Sequence, residues 1–300
     1  IKINHNFKDA SEFFSLFFQI KEEQKIILIF FLSAYCFFLL LLPIKNFSQS
    51  KDSKPFVVVL DAGHGGHDSG NRGNGYFEKK IALNIVLKIG KKLGKTPDIK
   101  VIYTRKKDVF VDLIQRANIA NKADADLFIS VHCDAFTSPK AFGAGTFVLG
   151  LHANERNFKI AQKENAVIFL EDDYEQNYDG FNPNDPESVI SLILMQETYL
   201  DQSIEAASSI QKSFVSNLKR KDRTVKQAGF VVLKYTYMPS VLVETGFLTN
   251  SSEGSYLNSS KGQSNMSDAI AKAIINYKSQ REASMQNQIS YSDSTKLNIK

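Results

Sequence analysis

The stretch Leu60-Asp61-Ala62-Gly63-His64-Gly65-Gly66 decides how the chain is read, because it turns an apolar run into a tight loop with an imidazole at its tip. Residues 56–60 are β-rich and apolar, and Gly63, Gly65 and Gly66 permit backbone angles that a side chain would forbid. Such a loop can aim His64 into a cleft. Two further signals fit it. Glu78 opens the next helical pattern, and His132 closes a second apolar strand in Ile129-Ser130-Val131-His132-Cys133-Asp134. Two histidines and one carboxylate form the ligand set of a catalytic zinc, in which a fourth position stays open.

Working outward from this loop, apolar positions Ile81, Ile85 and Ile89 recur at helical spacing over 78–93, and Gly94 and Pro97 end that helix. Strands are expected over 99–104, 126–132 and 143–149, a second helix over 111–123, and further strands over 229–234 and 240–244. Strands alternating with helices give an α/β fold: a single open mixed β-sheet of about six strands with helices on both faces. Residues 150–228 interrupt the rhythm. They are read as a helical insert, with an acidic, proline-broken lead-in over 164–187 and a long helix over 187–218. The cluster at 219–223 reads as solvated surface, 265–281 as a final helix and 283–300 as a disordered tail.

The 43% hydrophobic content of the 300 residues suffices for one domain with appendages. A net charge of +5 without a long basic run argues against a nucleic-acid surface, and two cysteines exclude a disulfide framework. Lys21 and Lys25 precede an apolar run over 26–44, long enough to be a transmembrane anchor or signal segment. Ser48-Gln49-Ser50 downstream offers a small-x-small cleavage pattern. The expected partition is a cytoplasmic segment over 1–25, the anchor or signal segment, a linker over 45–55, a catalytic domain over 56–282 with its insert over 150–228, and the tail. Residues beyond the apolar run are expected to be exported to the periplasm or cell envelope.

His64 and His132 both lie at the carboxyl ends of expected strands, the edge where open α/β sheets bind ligands. His67 and His152 lack that position and read as loop histidines. Asp61 and Asp68 either orient the ligand imidazoles or cap the loop. Glu244 ends Val241-Leu242-Val243 at the same sheet edge, and a metal hydrolase would use it to move the proton of an attacking water. The competing role for Glu244 is a salt bridge to Arg116 or to a lysine. The loop lacks both the G-x-G-x-x-G and the G-x-x-x-x-G-K-[ST] patterns, which removes a phosphate-cradling reading.

Several segments together resemble the zinc-dependent N-acetylmuramoyl-L-alanine amidases. They are Val59 through Gly66, Phe77-Glu78-Lys79, Leu113 with Arg116 and Asn121, Ser130-Val131-His132-Cys133-Asp134-Ala135, and Val241-Leu242-Val243-Glu244-Thr245-Gly246-Phe247-Leu248-Thr249-Asn250. The resemblance covers roughly residues 55–280. It implies one zinc held by His64, Glu78 and His132, Glu244 as catalytic acid/base, and cleavage of the amide joining N-acetylmuramic acid to L-alanine in peptidoglycan. The span 150–228 resembles the insert of amidases used in cell separation, which occludes the zinc until an activator protein binds. Glu164, Glu187 and Glu197 are then the candidates for the occluding carboxylate. Expected partners are peptidoglycan, an activator that binds the insert, and the membrane through 26–44, with no nucleic acid. The alternatives are a catalytically silent peptidoglycan-binding or activator protein of this fold, and a zinc peptidase cutting within the stem peptide.

Overall fold

Parallel strands buried on both faces need helices above and below, and this chain supplies them in alternation. The computed structural model describes residues 54–150 and 155–297, apart from 173, 179, 183 and 186–196. The apolar run 26–44, His152, Glu187 and the apolar residues 189–195 therefore lie outside the described residues. Strand β1 (Phe56–Ala62) leads into the glycine loop and a short hairpin, β2 (Arg72–Gly73) and β3 (Tyr76–Phe77). Asn74 and Gly75 make its turn, both with positive φ (50° and 79°), the conformation that favours an Asn-Gly pair. Helix α1 (Glu78–Leu93) follows at once, then β4 (Ile99–Tyr103), α2 (Leu113–Lys122), β5 (Leu127–Asp134) and β6 (Ala144–Leu149).

After β6 come α3 (Glu155–Asn165), a 3-10 helix (Ala166–Leu170), the single turn α4 (Tyr174–Asn177) and α5 (Glu197–Leu218). The chain closes with β7 (Asp222–Ala228), the turn α6 (Val231–Lys234), β8 (Ser240–Phe247), α7 (Ser251–Asn258) and α8 (Ser260–Leu297). The main sheet has six strands in the order β4-β1-β5-β8-β6-β7. All neighbours are parallel except β6 and β8, so the sheet is mixed and open as expected.

Each face has its own core. Helices α1, α5 and α8 cover one, where Ile81, Ile85, Phe214, Ile270 and Ile274 meet Val58, Leu60, Ile129 and Val243. On the other, Val57, Phe128, Phe147 and Leu242 pack with residues of α2, α3, the 3-10 helix and α6.

Four expectations change. Residues 219–223 are not merely surface, because Asp222 begins edge strand β7, which pairs in parallel with β6. Val231–Lys234 is a helical turn rather than a strand. The final helix starts at Ser260 and runs to Leu297, through most of the stretch expected to be disordered. Finally, α5 and β7 belong to the sheet and its cover: Ala206, Ala207, Ile210 and Phe214 are buried in the first core. Within 150–228, α3, the 3-10 helix and α4 form a strap over the second face, with Ala161, Val167 and Ile168 buried in the second core.

Candidate metal centre

The His64 loop is held by its backbone carbonyls. Arg116 Nη1 donates to Ala62 O (2.7 Å) and Nη2 to His64 O (2.9 Å), while Arg105 donates to Ala62 O and Gly63 O (2.9 and 2.7 Å). His64 itself sits in the left-handed region at φ 60°, a costly conformation for a residue with a side chain, and these clamps maintain it. Arg116 is in turn neutralised by buried Asp61, 2.8 Å away. Burial opposes charge on Asp61, but Arg116 and hydrogen bonds from Ser130 and Thr104 prevail and hold its carboxyl below the usual range. Arg116 is therefore not the partner of Glu244.

Two glycines give the histidines room. A Cβ on Gly63 would fall 2.5 Å from His132 Cε1, and one on Gly70 would fall 2.5 Å from His64 Cδ2 and 2.7 Å from Glu78 Oε2. Glu78 is the first residue of α1, where the helix dipole favours a carboxylate. Its oxygens accept from Asn71 N and Cys133 N, both at 2.7 Å. These backbone donors tie β5, the loop and α1 to one carboxylate.

The loop, the helix start and the end of β5 thus bring His64, Glu78 and His132 together, as the sequence predicts. Glu164 of α3 joins them, and one donor atom from each of the four lies within 4.8 Å of the others. Glu164 Oε2 is 3.1 Å from His64 Nε2 and 3.0 Å from His132 Nδ1; Glu78 lies 3.1 Å from the same two nitrogens. Despite these approaches, His64 Nε2, His132 Nδ1 and Glu164 Oε2 make no hydrogen bond. Four buried donor atoms that converge on one point, three of them without a hydrogen-bond partner, are what a cation satisfies. The separations are close to the edge of a tetrahedron around zinc, about 3.3 Å for ligand bonds near 2.0 Å. The donor set fits such an ion.

The outer hydrogen bonds set both histidine tautomers. Asp68 Oδ2 lies 2.7 Å from His64 Nδ1 and accepts its proton, which leaves the Nε2 lone pair facing the set. Ser130 Oγ donates to Asp61 Oδ2 at 2.6 Å and is 3.1 Å from His132 Nε2. Its hydroxyl proton being committed to Asp61, it accepts from Nε2–H and frees Nδ1. Asp68 therefore contacts a ligand directly, whereas Asp61 acts through Ser130. Without a cation the nitrogens gain protons. Burial works against charge on His132, yet Glu164 and Glu78 push it up to about 9, and Glu78, Asp68 and Glu164 raise His64 well above its ordinary value.

Glu244 stands beside this set, paired in register with His132 across β5 and β8. It is 4% exposed, and neither carboxylate oxygen has a hydrogen-bond partner. Burial, then the charges of Asp134, Glu164 and Glu78, raise its pKa well above the usual carboxylate range. Such a group can hold a proton near neutrality and pass it on. His67 lies off the site, tilted over Phe110 with ring centroids 4.1 Å apart.

Of the three carboxylates considered in the insert, Glu164 is the one at the metal set; Glu197 begins α5 on the other side of the sheet, and Glu187 is outside the described residues. The strap that carries Glu164 is fastened. Asn165 Nδ2 donates to Gly229 O and its Oδ1 accepts from Val231 N, while at the start of α2 Leu113 N donates to Glu171 and Ile114 N to Tyr178 OH, which itself donates to Glu171. Sequence reasoning missed Asn71, which donates to Glu164 Oε1 at 3.4 Å as well as to Cys133 O. It also missed Ser130. Their signal was proximity in sequence to the ligands alone.

Comparison with known proteins agrees with this architecture. The family Amidase_3, N-acetylmuramoyl-L-alanine amidase, matches residues 58–276. N-acetylmuramoyl-L-alanine amidase AmiA of Escherichia coli (strain K12) is 36% identical over 227 residues, 74% of this chain and 75% of that protein. N-acetylmuramoyl-L-alanine amidase AmiC of Escherichia coli O6:H1 is 32% identical over 75% of this chain and 53% of its own length. The crystal structure of N-acetylmuramoyl-L-alanine amidase from Clostridium difficile 630 superposes with a TM-score of 0.58 at 27% identity, covering 75% of this chain and 97% of that one. A buried His/Glu set at the carboxyl edge of a mixed sheet, a family match over most of the chain and a relative sharing more than a third of its residues lead to one assignment: the chain belongs to the Amidase_3 family of N-acetylmuramoyl-L-alanine amidases.

Proposed function

We propose that the chain is a zinc hydrolase that cuts the amide between N-acetylmuramic acid and L-alanine in peptidoglycan, and that Glu164 blocks its metal centre at rest. The convergence of buried donor atoms from His64, Glu78, His132 and Glu164 within 4.8 Å carries the reading. Zinc held by the first three would act as a Lewis acid toward the scissile carbonyl and make water acidic enough to attack near neutrality. Asp68 and Ser130 accept from the outer imidazole nitrogens and so aim the inner ones at the set. Glu244, buried beside the set with both carboxylate oxygens free of hydrogen bonds, takes the proton of the attacking water and returns it to the departing L-alanine nitrogen.

Glu164 supplies the fourth ligand when the strap is closed. A tethered carboxylate competes well for that position, because its effective concentration can reach the millimolar range. Opening requires the strap to give up the Asn165 and Glu171 bonds as well as the metal contact. An activator protein that binds the displaced strap would offset those losses, the role proposed for a partner of this chain. Because peptidoglycan lies outside the cytoplasmic membrane, the enzyme acts in the cell envelope during wall turnover or cell separation, and residues 26–44 anchor or export it.

The test digests purified peptidoglycan with the zinc-supplemented chain, with and without a chelator, and identifies the products by mass spectrometry. Release of peptides beginning with L-alanine, abolished by the chelator, is expected. Fragments cut within the stem peptide would make it a peptidase instead. Glycan left with every peptide attached, by a Glu164→Gln variant as well, would favour a silent wall-binding protein.

A further inference from the structure

On the face of the sheet that carries His132 and Glu244, a row of residues continues toward the outer edge. His132 on β5 is in register with Glu244 on β8, and Glu244 with Gly145 on β6. Directly paired residues point to the same face, so the space above Gly145 adjoins the Glu244 carboxylate. Gly145 has no side chain, and Lys226 of β7 reaches into the gap: a Cβ on Gly145 would lie 3.1 Å from Lys226 Nζ and 3.3 Å from Arg223 Cβ.

Three cations gather here, each seated on an aromatic ring. Lys226 Nζ is 4.9 Å from the Phe147 centroid, Arg223 Cζ is 4.7 Å from Phe247, and Arg156 Cζ of α3 is 4.9 Å from Phe136. None of them forms an ion pair among the described residues. They are also close enough to perturb one another. Burial first, then Arg223 and Arg156, bring the Lys226 ammonium down to about 8, and burial with Arg156 lowers Arg223. Asp134 and Glu244 oppose these shifts but stand outside ion-pair distance. Half-buried Arg223 and Lys226, with exposed Arg156 beside them and no counter-ion at ion-pair distance among the described residues, form a site whose cost an incoming anion relieves.

The row fixes what anion could reach it. From β8 to β7 is two strand spacings, about 10 Å. About three extended residues cover that distance at roughly 3.4 Å each, or two with an acidic side chain reaching the rest of the way. Resting on the amidase reading, we infer that Arg223 and Lys226, with Arg156 at the rim, bind a carboxylate on the second or third residue of the departing peptide as it lies across Gly145. The metal set then chooses the bond, and the cations choose which peptides are cut. Neutralising that carboxylate as its amide would remove the charge-assisted bonds and leave the cations unpaired.

The experiment compares two synthetic N-acetylmuramoyl-L-alanyl peptides, one with free carboxylates on its second and third residues and one with both amidated. Turnover of each is followed by peptide release from the zinc-supplemented chain and from an Arg223→Gln, Lys226→Gln double variant. Both are run also in a Glu164→Gln background, so that the strap does not limit the rate. The unaltered cation pair should favour the free peptide about tenfold or more in kcat/KM, carried by KM, and the double variant should bring the ratio near one. Because the ratio is read within each protein, a partly unfolded preparation does not change it. Equal rates on the two peptides, or a preference that survives in the double variant, would overturn the subsite alone. No release from either peptide, in either background, would overturn the amidase reading and the subsite with it.

Discussion

Replacing Asp61 by alanine should destabilise the metal-free domain by about 3 kcal/mol, the lower end of the range for breaking a buried ion pair. Asp61 and Arg116 are 0% and 1% exposed, so the guanidinium left behind cannot reach water without moving the loop. Arg116 would keep its bonds to Val111 O, Ala62 O and His64 O, which places the loss at that lower end. Urea unfolding followed by circular dichroism reads the effect. With a slope of roughly 1–3 kcal/mol per molar, the midpoint should fall by about 1 M or more. An Asp61→Leu, Arg116→Met double variant should recover only part of the loss, because it removes both charges together but also the bonds to Val111 O, Ala62 O and His64 O. Acid should mimic the single variant: Asp61 has a folded pKa below its unfolded one, so its contribution is present above about pH 4 and fades as pH falls through the lower folded value. A single variant within about 0.5 kcal/mol of the parent, or a double variant no better than the single, would refute the reasoning.

His64→Ala or His132→Ala should abolish stoichiometric zinc, measured by elemental analysis of the purified chain, whereas Glu164→Ala should retain it. Glu164→Ala should also digest peptidoglycan roughly tenfold faster or more than the intact chain, in proportion to the competition a tethered ligand exerts; an unchanged rate would make the strap purely structural. Glu244→Gln should keep zinc and fold while losing about 10²–10⁴-fold in turnover, a general acid/base contribution, and near-normal activity would remove it from the mechanism. Finally, thermal melts of the metal-free chain should fall as pH rises from 6.5 to about 9. His132 binds its proton more tightly folded than unfolded, so that stability is lost as it deprotonates. Zinc should abolish this slope, since it needs the neutral imidazole.

How much could be read from the sequence depends on which residues carry strong local signals. The strands of the sheet centre are continuous apolar runs bounded by glycine or histidine, and α1 repeats isoleucine every fourth residue, so their places and the convergence of His64, Glu78 and His132 were legible. Strand β7 was not. Asp222–Ala228 lies at an edge with one neighbour, and its charged and polar side chains cover the sheet instead of filling it. Val231–Lys234 failed for the opposite reason, since a short apolar run fits a buried helical turn as well as a strand. The Asn74-Gly75 hairpin had a recognisable signal but was absorbed into the glycine loop. Glu164 could be named only as one of three candidates, because what selects it is the packing of the strap over the sheet.

The strand that carries Glu244 is the last of the eight in sequence, yet it is inserted between β5 and β6, near the middle of the sheet. As the polypeptide emerges from its amino end, His64, Glu78 and His132 are all available before any residue beyond 132 exists. Glu244 arrives more than a hundred residues later, and the covering helix α8 later still. Until β8 is made, the sheet lacks the strand that lies between β5 and β6. On the role proposed for Glu244, fragments truncated before residue 244 carry His64, Glu78 and His132 yet lack the group that would move the proton, so hydrolytic competence would be among the last things assembly supplies.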